Sequence, residues 1–142
     1  PGCEPAKVID GVSRRIGEEM HGWVSDGLSK EGEQLFMQWV KPQKISELRF
    51  TFHSDFHYPI RVTMAPNRQK QQRPGIPPEL VRDYNIVLKN KQTVLQTIPV
   101  RGNYQRHRIH RFDAVNCDAV ELHVIATNGA EDATVFEVRA YE

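Results

Sequence analysis

Residues 45–52, with the sequence ISELRFTF, show the clearest alternation of apolar and polar side chains in the chain. In an extended backbone, successive side chains point to opposite faces, so Leu48, Phe50 and Phe52 share one face. The residues between them are polar or charged. Such a pattern is typical of a strand that covers a core on one side and meets solvent on the other. The stretch therefore predicts a half-buried strand.

Other segments fit the same period or are short apolar runs bounded by turn residues. The further predicted strands are 34–40, 60–64, 84–89, 93–98, 119–127 and 134–141, with shorter extended pieces at 6–11 and 21–27. Pro42 should stop the strand at 34–40, because proline donates no hydrogen bond to a sheet. Asn90 and Lys91 should turn the chain between the third and fourth of these strands, which makes a hairpin. No segment sustains a period of 3.6, so the predicted fold is all-β, an antiparallel β-sandwich or jelly roll.

Length and charge limit the possible functions. A chain of 142 residues fits one domain, residues 1–142, and can bury a continuous core. The formal net charge of +1 argues against a dedicated nucleic-acid binder. No apolar run approaches the roughly 20 residues of a membrane span. Cys3 and Cys117 are too few and too far apart to define a disulfide framework or a zinc site, so both are expected to be free or structural.

Two further stretches carry unusual chemistry. Residues 102–112, GNYQRHRIHRF, concentrate cations, imidazoles and aromatic rings, which suits a nucleic-acid stripe, a sugar-binding rim or a polar strand. We expect a loop followed by a strand, with Ile109 and Phe112 pointing inward and a bulge near His110 and Arg111. Residues 65–81 are rich in proline and are expected to form a long surface loop.

The order of motifs resembles a known superfamily. The segments AKVIDG, HGWVS, QWVKPQKISELRFTF and VELHVIATNGAEDATVFEVRAYE are similar to the galactose-binding-like sandwich, also called the discoidin or coagulation-factor C-type domain. More narrowly, VIDGVSR, PPELVRDYNIVL and GNYQRHRIHRF resemble the C-terminal appended domain of bacterial FAD-dependent oxidoreductases associated with glycan degradation. The first resemblance spans nearly the whole chain.

The resemblance implies a binding module instead of an enzyme. Many members recognise terminal sugars through loops at one end of the sandwich, so the implied partner is a glycan or glycoconjugate. The implied catalytic domain lies upstream in a longer secreted or periplasmic protein, from which residues 1–142 would be excised. The chain has no GxGxxG after a strand and no HExxH or GxSxG motif, so we expect no dinucleotide cofactor and no catalysis of its own. The alternative is a structural module that packs on the oxidoreductase and binds nothing itself.

A structural calcium ion is the implied cofactor. In the superfamily it lies near the Asp-Gly turn, which places Asp10, Glu137 and the carbonyl groups of Lys7 and Val12 around it. Calcium prefers six to eight oxygen ligands. This sequence departs from the pattern at Val12, and the two arginines that follow, Arg14 and Arg15, bring positive charge close. In the alternative interpretation, Asp10 caps the turn and Glu137 pairs with one of those arginines.

Sugar recognition needs flat apolar surfaces for the C–H side of a pyranose and polar groups for its hydroxyls. The candidate ligand-binding residues, at predicted strand ends or loops, are Trp23, His53, Asp55, Phe56, Arg82, Tyr104, Arg106 and Asn128. Several have a structural alternative: Trp23 can belong to the core, Arg82 can pair with Asp83, and Asn128 can serve a turn. His107 and His110 would point to opposite sides of a strand, which makes them a poor metal pair.

Overall fold

Residues 45–52 are the second half of a long strand, β2 (Glu33–Phe52), in the computed structural model of the chain. The structure describes residues 2–55, 58 and 62–142. Leu48, Phe50 and Phe52 are each 0% exposed, which confirms the predicted apolar face. The predicted stop at Pro42 is wrong: β2 continues through it. The pairing of β2 with its neighbour shifts register between Gln38 and Gln43, and this irregularity accommodates a residue without an N–H group.

The described residues contain six strands and two short helical segments. Besides β2 these are β1 (Trp23–Val24), β3 (Val81–Asn90), β4 (Thr93–Val100), β5 (His107–Thr127), β6 (Thr134–Tyr141), a 3₁₀ helix (Pro5–Ile9) and α1 (Pro66–Gln69). All strand pairs are antiparallel, in the order β1-β6-β2-β5-β3-β4. Within the described parts of the chain, no helix is long and apolar enough to cross a membrane.

Two long strands, β2 and β5, belong to both layers of a β-sandwich. The second half of β2 lies between β6 and the first half of β5, whereas the second half of β5 lies between β3 and the first half of β2. The rings of Phe50 and Phe52 lie 6.2 and 5.2 Å from the ring of Tyr84 on β3, which is not their neighbour in the sheet. These contacts join the two layers across the core, and the predicted all-β sandwich is confirmed.

At the start of β5, Ile109 and His110 point to the opposite faces from those predicted. Ile109 is 40% exposed, whereas His110 is only 8% exposed. The hydroxyl of Tyr84 lies 2.9 Å from Nε2 of His110, so the buried imidazole has a polar partner. Phe112 does pack against the core, as predicted. The register shift between β2 and β5 comes just after the predicted bulge position, between Arg111 and Val115.

The remaining predictions concern a hairpin, two short extended segments and the cysteines, and only some of them are confirmed. The hairpin of β3 and β4 is confirmed, but its turn is at Lys91 and Gln92, which have φ values of 47° and 68°. The extended piece at 6–11 is wrong, because most of it belongs to the 3₁₀ helix. The strand at 60–64 lies partly outside the described residues, and 62–64 are not in a strand. Cys3 is exposed, whereas Cys117 is a free thiol buried in the core.

Candidate functional site

Several loops meet at one end of the sandwich, which we call the loop end: the connections 53–80, 101–106 and 128–133. The backbone N–H of Phe52 donates to the carbonyl of Arg106 at 2.8 Å, and that of His53 donates to Thr134 at 3.1 Å. The N–H of Asn128 donates to the carbonyl of Leu80 at 2.9 Å. The ends of β2 and β5 and the starts of β3, β5 and β6 therefore lie close together, and they carry most of the predicted site residues.

Asn103 fixes the shape of the loop 101–106. Its side chain donates to the carbonyls of Val81 at 2.7 Å and Gln105 at 3.0 Å, and its Oδ1 accepts the N–H of Gln105 at 3.1 Å. Only 1% of Asn103 is exposed. These bonds replace the backbone hydrogen bonds between strands that a loop lacks, so the residues flanking Gln105 are held in defined positions. Asn103 is not among the predicted ligand-binding residues, although an asparagine after a glycine is a turn signal.

Phe136 joins two predicted site residues. The His53 ring packs edge-on against the Phe136 ring at 5.4 Å, and the Arg106 guanidinium lies 5.7 Å from the same ring. Arg106 also donates a hydrogen bond to the carbonyl of Ser13. Partial burial lowers the pKa of Arg106, and nearby Glu137 opposes that shift. The result is an arginine and a histidine held against one apolar ring at the loop end.

Tyr104 is the most exposed aromatic side chain at the loop end among the described residues, at 66%. It lies between the fixed Asn103 and Gln105, so its backbone is anchored while its ring meets solvent. Asp55, in the loop that follows β2, forms an ion pair with Arg73 at 3.2 Å. An exposed ring that shares one end of the sandwich with polar side chains has the composition that a pyranose requires.

Three of the predicted site residues are buried or bonded to other protein groups, and a fourth lies outside the described residues. Trp23 is 7% exposed and belongs to the core, so its ring offers little surface to a ligand. Arg82 pairs with Asp83 at 3.0 Å. The Asn128 side chain donates to the carbonyl of Leu80 at 3.0 Å, which ties two loops together. Phe56 lies outside the described residues.

Asp10, the first implied calcium ligand, is bound by other groups. Its Oδ1 accepts the N–H of Val12 at 2.7 Å, as the turn-capping alternative predicts, and its Oδ2 lies 2.9 Å from Nδ1 of His21. The other ring nitrogen of His21 lies 3.5 Å from Glu19, which also pairs with Lys7 at 2.7 Å. The hydrogen bond from His21 holds the pKa of Asp10 below its ordinary value.

Glu137, the second implied ligand, is paired with Arg139. The Nε and Nη2 atoms of Arg139 lie 2.8 and 2.6 Å from the same carboxylate oxygen. The predicted pairing of Glu137 with Arg14 or Arg15 is therefore wrong. Arg15 lies 3.3 Å from Glu18 instead. Because the side chains of His21 and Arg139 and the N–H group of Val12 already bind these carboxylates, the residues do not fit a calcium ion. The described residues contain no group of three or more metal-binding side chains.

Thermal unfolding should therefore be the same with EDTA as with added calcium, because the His21 side chain holds the Asp-Gly turn through Asp10. The Asp10→Asn variant should unfold at a lower temperature, and equally so in both conditions. Circular dichroism measures the unfolding temperatures of both proteins with EDTA and with calcium. A melting temperature that rises with calcium concentration would contradict the expectation, since a ligand of the native state stabilises it by mass action.

The fold is shared with solved structures of low sequence identity. No protein-family model matches the chain, and no curated protein matches it. The chain is similar to the family 32 carbohydrate-binding module of Streptococcus pneumoniae EndoD, with a TM-score of 0.70, 14% identity, and coverage of 100% of this chain and 87% of that one. It is also similar to chitosan-binding module 1 of a Paenibacillus sp. IK-5 chitosanase/glucanase, with a TM-score of 0.68, 12% identity, and 99% and 86% coverage.

A third similar structure is the family 32 module of C. perfringens NanJ in complex with galactose, with a TM-score of 0.66, 16% identity, and coverage of 99% of this chain and 86% of that chain. Sandwich architecture is retained where sequence similarity is lost. The chain thus has the β-sandwich fold of these modules, as the resemblance in its motifs predicted.

Proposed function

We propose that this chain is a non-catalytic carbohydrate-binding module that recognises a glycan at the loop end. The observation that carries the proposal is the exposed ring of Tyr104 on a loop whose backbone Asn103 fixes. A pre-formed site binds with less loss of conformational freedom than a flexible one. The C–H face of a pyranose packs on an aromatic ring and thereby excludes water from it.

Polar side chains on the loops at the same end of the sandwich would bind the sugar hydroxyls. Arg106 brings several N–H donors in a fixed plane, and His53 brings a ring nitrogen. Both are positioned by contact with Phe136. Asp55 would accept hydrogen bonds, with Arg73 holding its carboxylate in place. Arg82 and Phe56 complete the proposed set, whereas the burial of Trp23 and the bonds of Asn128 give those residues structural roles.

Modules of the same fold support this assignment by what they bind. The NanJ module was solved in complex with galactose, and the Paenibacillus module binds chitosan. At 16% and 12% identity these likenesses support a sugar ligand without specifying which sugar. We further propose that the module belongs to a longer secreted or periplasmic protein with an upstream catalytic domain, an FAD-dependent oxidoreductase in view of the motif resemblance.

A glycan array with the purified chain tests the proposal, followed by calorimetry with the neutral glycan that binds most strongly. Tyr104→Ala should weaken binding about fivefold to 150-fold, because losing a stacking contact costs roughly 1–3 kcal/mol. Its unfolding temperature should hardly change, since the ring is 66% exposed.

Tyr141→Ala is the matched control. Tyr141 is 38% exposed, but it lies at the end of β6, whereas the loop end is near the start of that strand. Its loss should leave neutral-glycan binding intact. A blank array, or equal weakening by the two variants, would contradict recognition at the loop end.

An apolar groove favours the alternative, a structural module that packs on a catalytic domain. The groove has a volume of about 480 Å³ and lies between the 3₁₀ helix and β2, β5 and β6. Phe36 is 53% exposed and Ile9 is 72% exposed at this groove. Side chains of this kind are typical of a protein interface. A blank array together with Phe36→Ser abolishing co-purification with the catalytic domain would favour this alternative.

A further inference from the structure

Two arginines lie directly opposite each other on the outer face of the sandwich. Arg49 on β2 and Arg139 on β6 are Cα partners in the antiparallel ladder, and their side chains are 35% and 53% exposed. Like charges in that arrangement repel each other. This face belongs to the layer of β6, the second half of β2 and the first half of β5, so it is distinct from the loop-end site and uses different residues.

Each arginine is already positioned by a carboxylate. Glu47 accepts from Nε of Arg49 at 2.5 Å and from Nε of Arg111 at 2.7 Å. Arg139 donates to Glu137, and the Arg49 guanidinium lies 4.6 Å from the centre of the Tyr141 ring. A guanidinium carries five N–H donors, so both Arg49 and Arg139 retain donors beyond these bonds. The carboxylates hold the guanidinium groups in place without using all their hydrogen bonds.

The charge of the arginine cluster and the shape of the surface beside it indicate which class of ligand could bind there. Three arginines against two glutamates leave one excess positive charge in this cluster. Arg49 also lines a depression of about 460 Å³, together with Ser46, the ion-paired Glu47, Arg111, Phe112, Tyr141 and Glu142. Glu142 is itself paired with Lys44 at 3.3 Å. The surface thus combines one anion-attracting point with aromatic side chains, and its glutamates would repel a continuous row of phosphates.

We propose that this face is a second binding site for an acidic saccharide, whose anionic group lies between Arg49 and Arg139. A carboxylate or sulfate there accepts hydrogen bonds from both guanidinium forks and relieves their mutual repulsion. The sugar ring occupies the adjacent depression against Tyr141 and Phe112. Arg111 and Phe112 belong to the basic stretch 102–112 but not to the loop-end site, and this proposal gives both of them a role.

Affinity gel electrophoresis of the whole chain tests the site. The probes are polygalacturonate for carboxylate, kappa-carrageenan for sulfate, uncharged dextran, and polyuridylate for nucleic acid. We expect retardation by polygalacturonate or kappa-carrageenan and none by dextran. Arg49→Gln combined with Arg139→Gln should weaken that binding about tenfold, the loss of roughly 1.4 kcal/mol of charge-assisted bonding.

The matched control combines Arg14→Gln with Arg15→Gln, which removes the same charge from another exposed position. It should bind the acidic polymer as the unchanged chain does. Arg49→Lys with Arg139→Lys, which keeps the charge and lets the ion pairs re-form, should bind at an intermediate level and serves if the glutamine variant does not fold. The proposal is overturned by absent retardation on both acidic polymers, by equal losses in the two glutamine double variants, or by equally strong binding of polyuridylate. Tyr104→Ala should not affect this binding, so the two sites fail or succeed separately.

Discussion

Urea unfolding should show that the protein loses about 2 kcal/mol of stability between pH 7 and pH 5, because His110 is buried in its neutral form. Burial, with a smaller contribution from Arg108, lowers the pKa of His110 from 6.5 to about 4. Well above pH 6.5 the His110 ring is neutral in both the folded and the unfolded chain, so it does not change the free energy of unfolding. As the pH falls below 6.5, the unfolded chain gains a proton that the folded chain binds only near pH 4, and the equilibrium shifts towards unfolding.

The packing around His110 explains the preference for the neutral ring. Its centre lies 5.8 Å from the ring of Phe50 and 5.8 Å from that of Tyr84. Burial also raises the pKa of Tyr84, so its hydroxyl stays protonated and can donate to a neutral imidazole at 2.9 Å. A protonated ring would lose this acceptor and would carry its charge into the core.

His110→Gln should remove most of the pH dependence between pH 7 and pH 5, whereas His107→Gln, at an exposed position on the same strand, should keep it. Asp10, Glu19 and Glu47 have pKa values below their ordinary ones, so their contributions are lost only at lower pH. Stability of the unchanged chain that is constant over this window would contradict the assignment. If the glutamine variant does not fold, NMR titration of the His110 ring in the unchanged chain gives the same answer.

His110 also shows where prediction from sequence reaches its limit. Leu48, Phe50 and Phe52 were assigned to the core because their pattern specifies one apolar face. The pattern RHRIH has only one apolar residue, Ile109, and local hydrophobicity therefore favours the wrong side. The deciding interaction is the hydroxyl of Tyr84, which is 26 residues away in the sequence. A buried polar pair of this kind leaves no periodic signal.

The candidate site was predictable in position but not in detail. Strand ends and turn residues placed His53, Tyr104 and Arg106 in loops at one end of a sandwich, and the structure brings those loops together. The burial of Trp23 depends on the pairing of β1 with β6, which a strand of two residues does not reveal in advance. Similarly, the contact of His21 with Asp10 depends on how the chain folds back after the 3₁₀ helix.

Asn103→Ala should lower the free energy of unfolding by about 2–3 kcal/mol and should weaken glycan binding at the loop end more than tenfold. The substitution leaves the buried carbonyl of Val81 without its side-chain donor and frees the loop at Gln105. Tyr104 and Arg106 would then have to be ordered when the glycan binds, and that ordering reduces affinity. Urea unfolding and calorimetry with the glycan found on the array measure the two effects.

Asn90→Ala provides the comparison, because the Asn90 side chain also donates to a backbone carbonyl, that of Asn116 at 2.9 Å, but this bond is exposed at the end of β3. It should cost less than about 1 kcal/mol, since water replaces an exposed hydrogen bond. If Asn103→Ala is no more destabilising than Asn90→Ala, the loop does not depend on the Asn103 side chain. If Asn103→Ala is destabilised but binds the glycan as before, Tyr104 and Arg106 do not need a fixed loop. Only the combined loss of stability and affinity fits a site whose geometry is set by one buried amide.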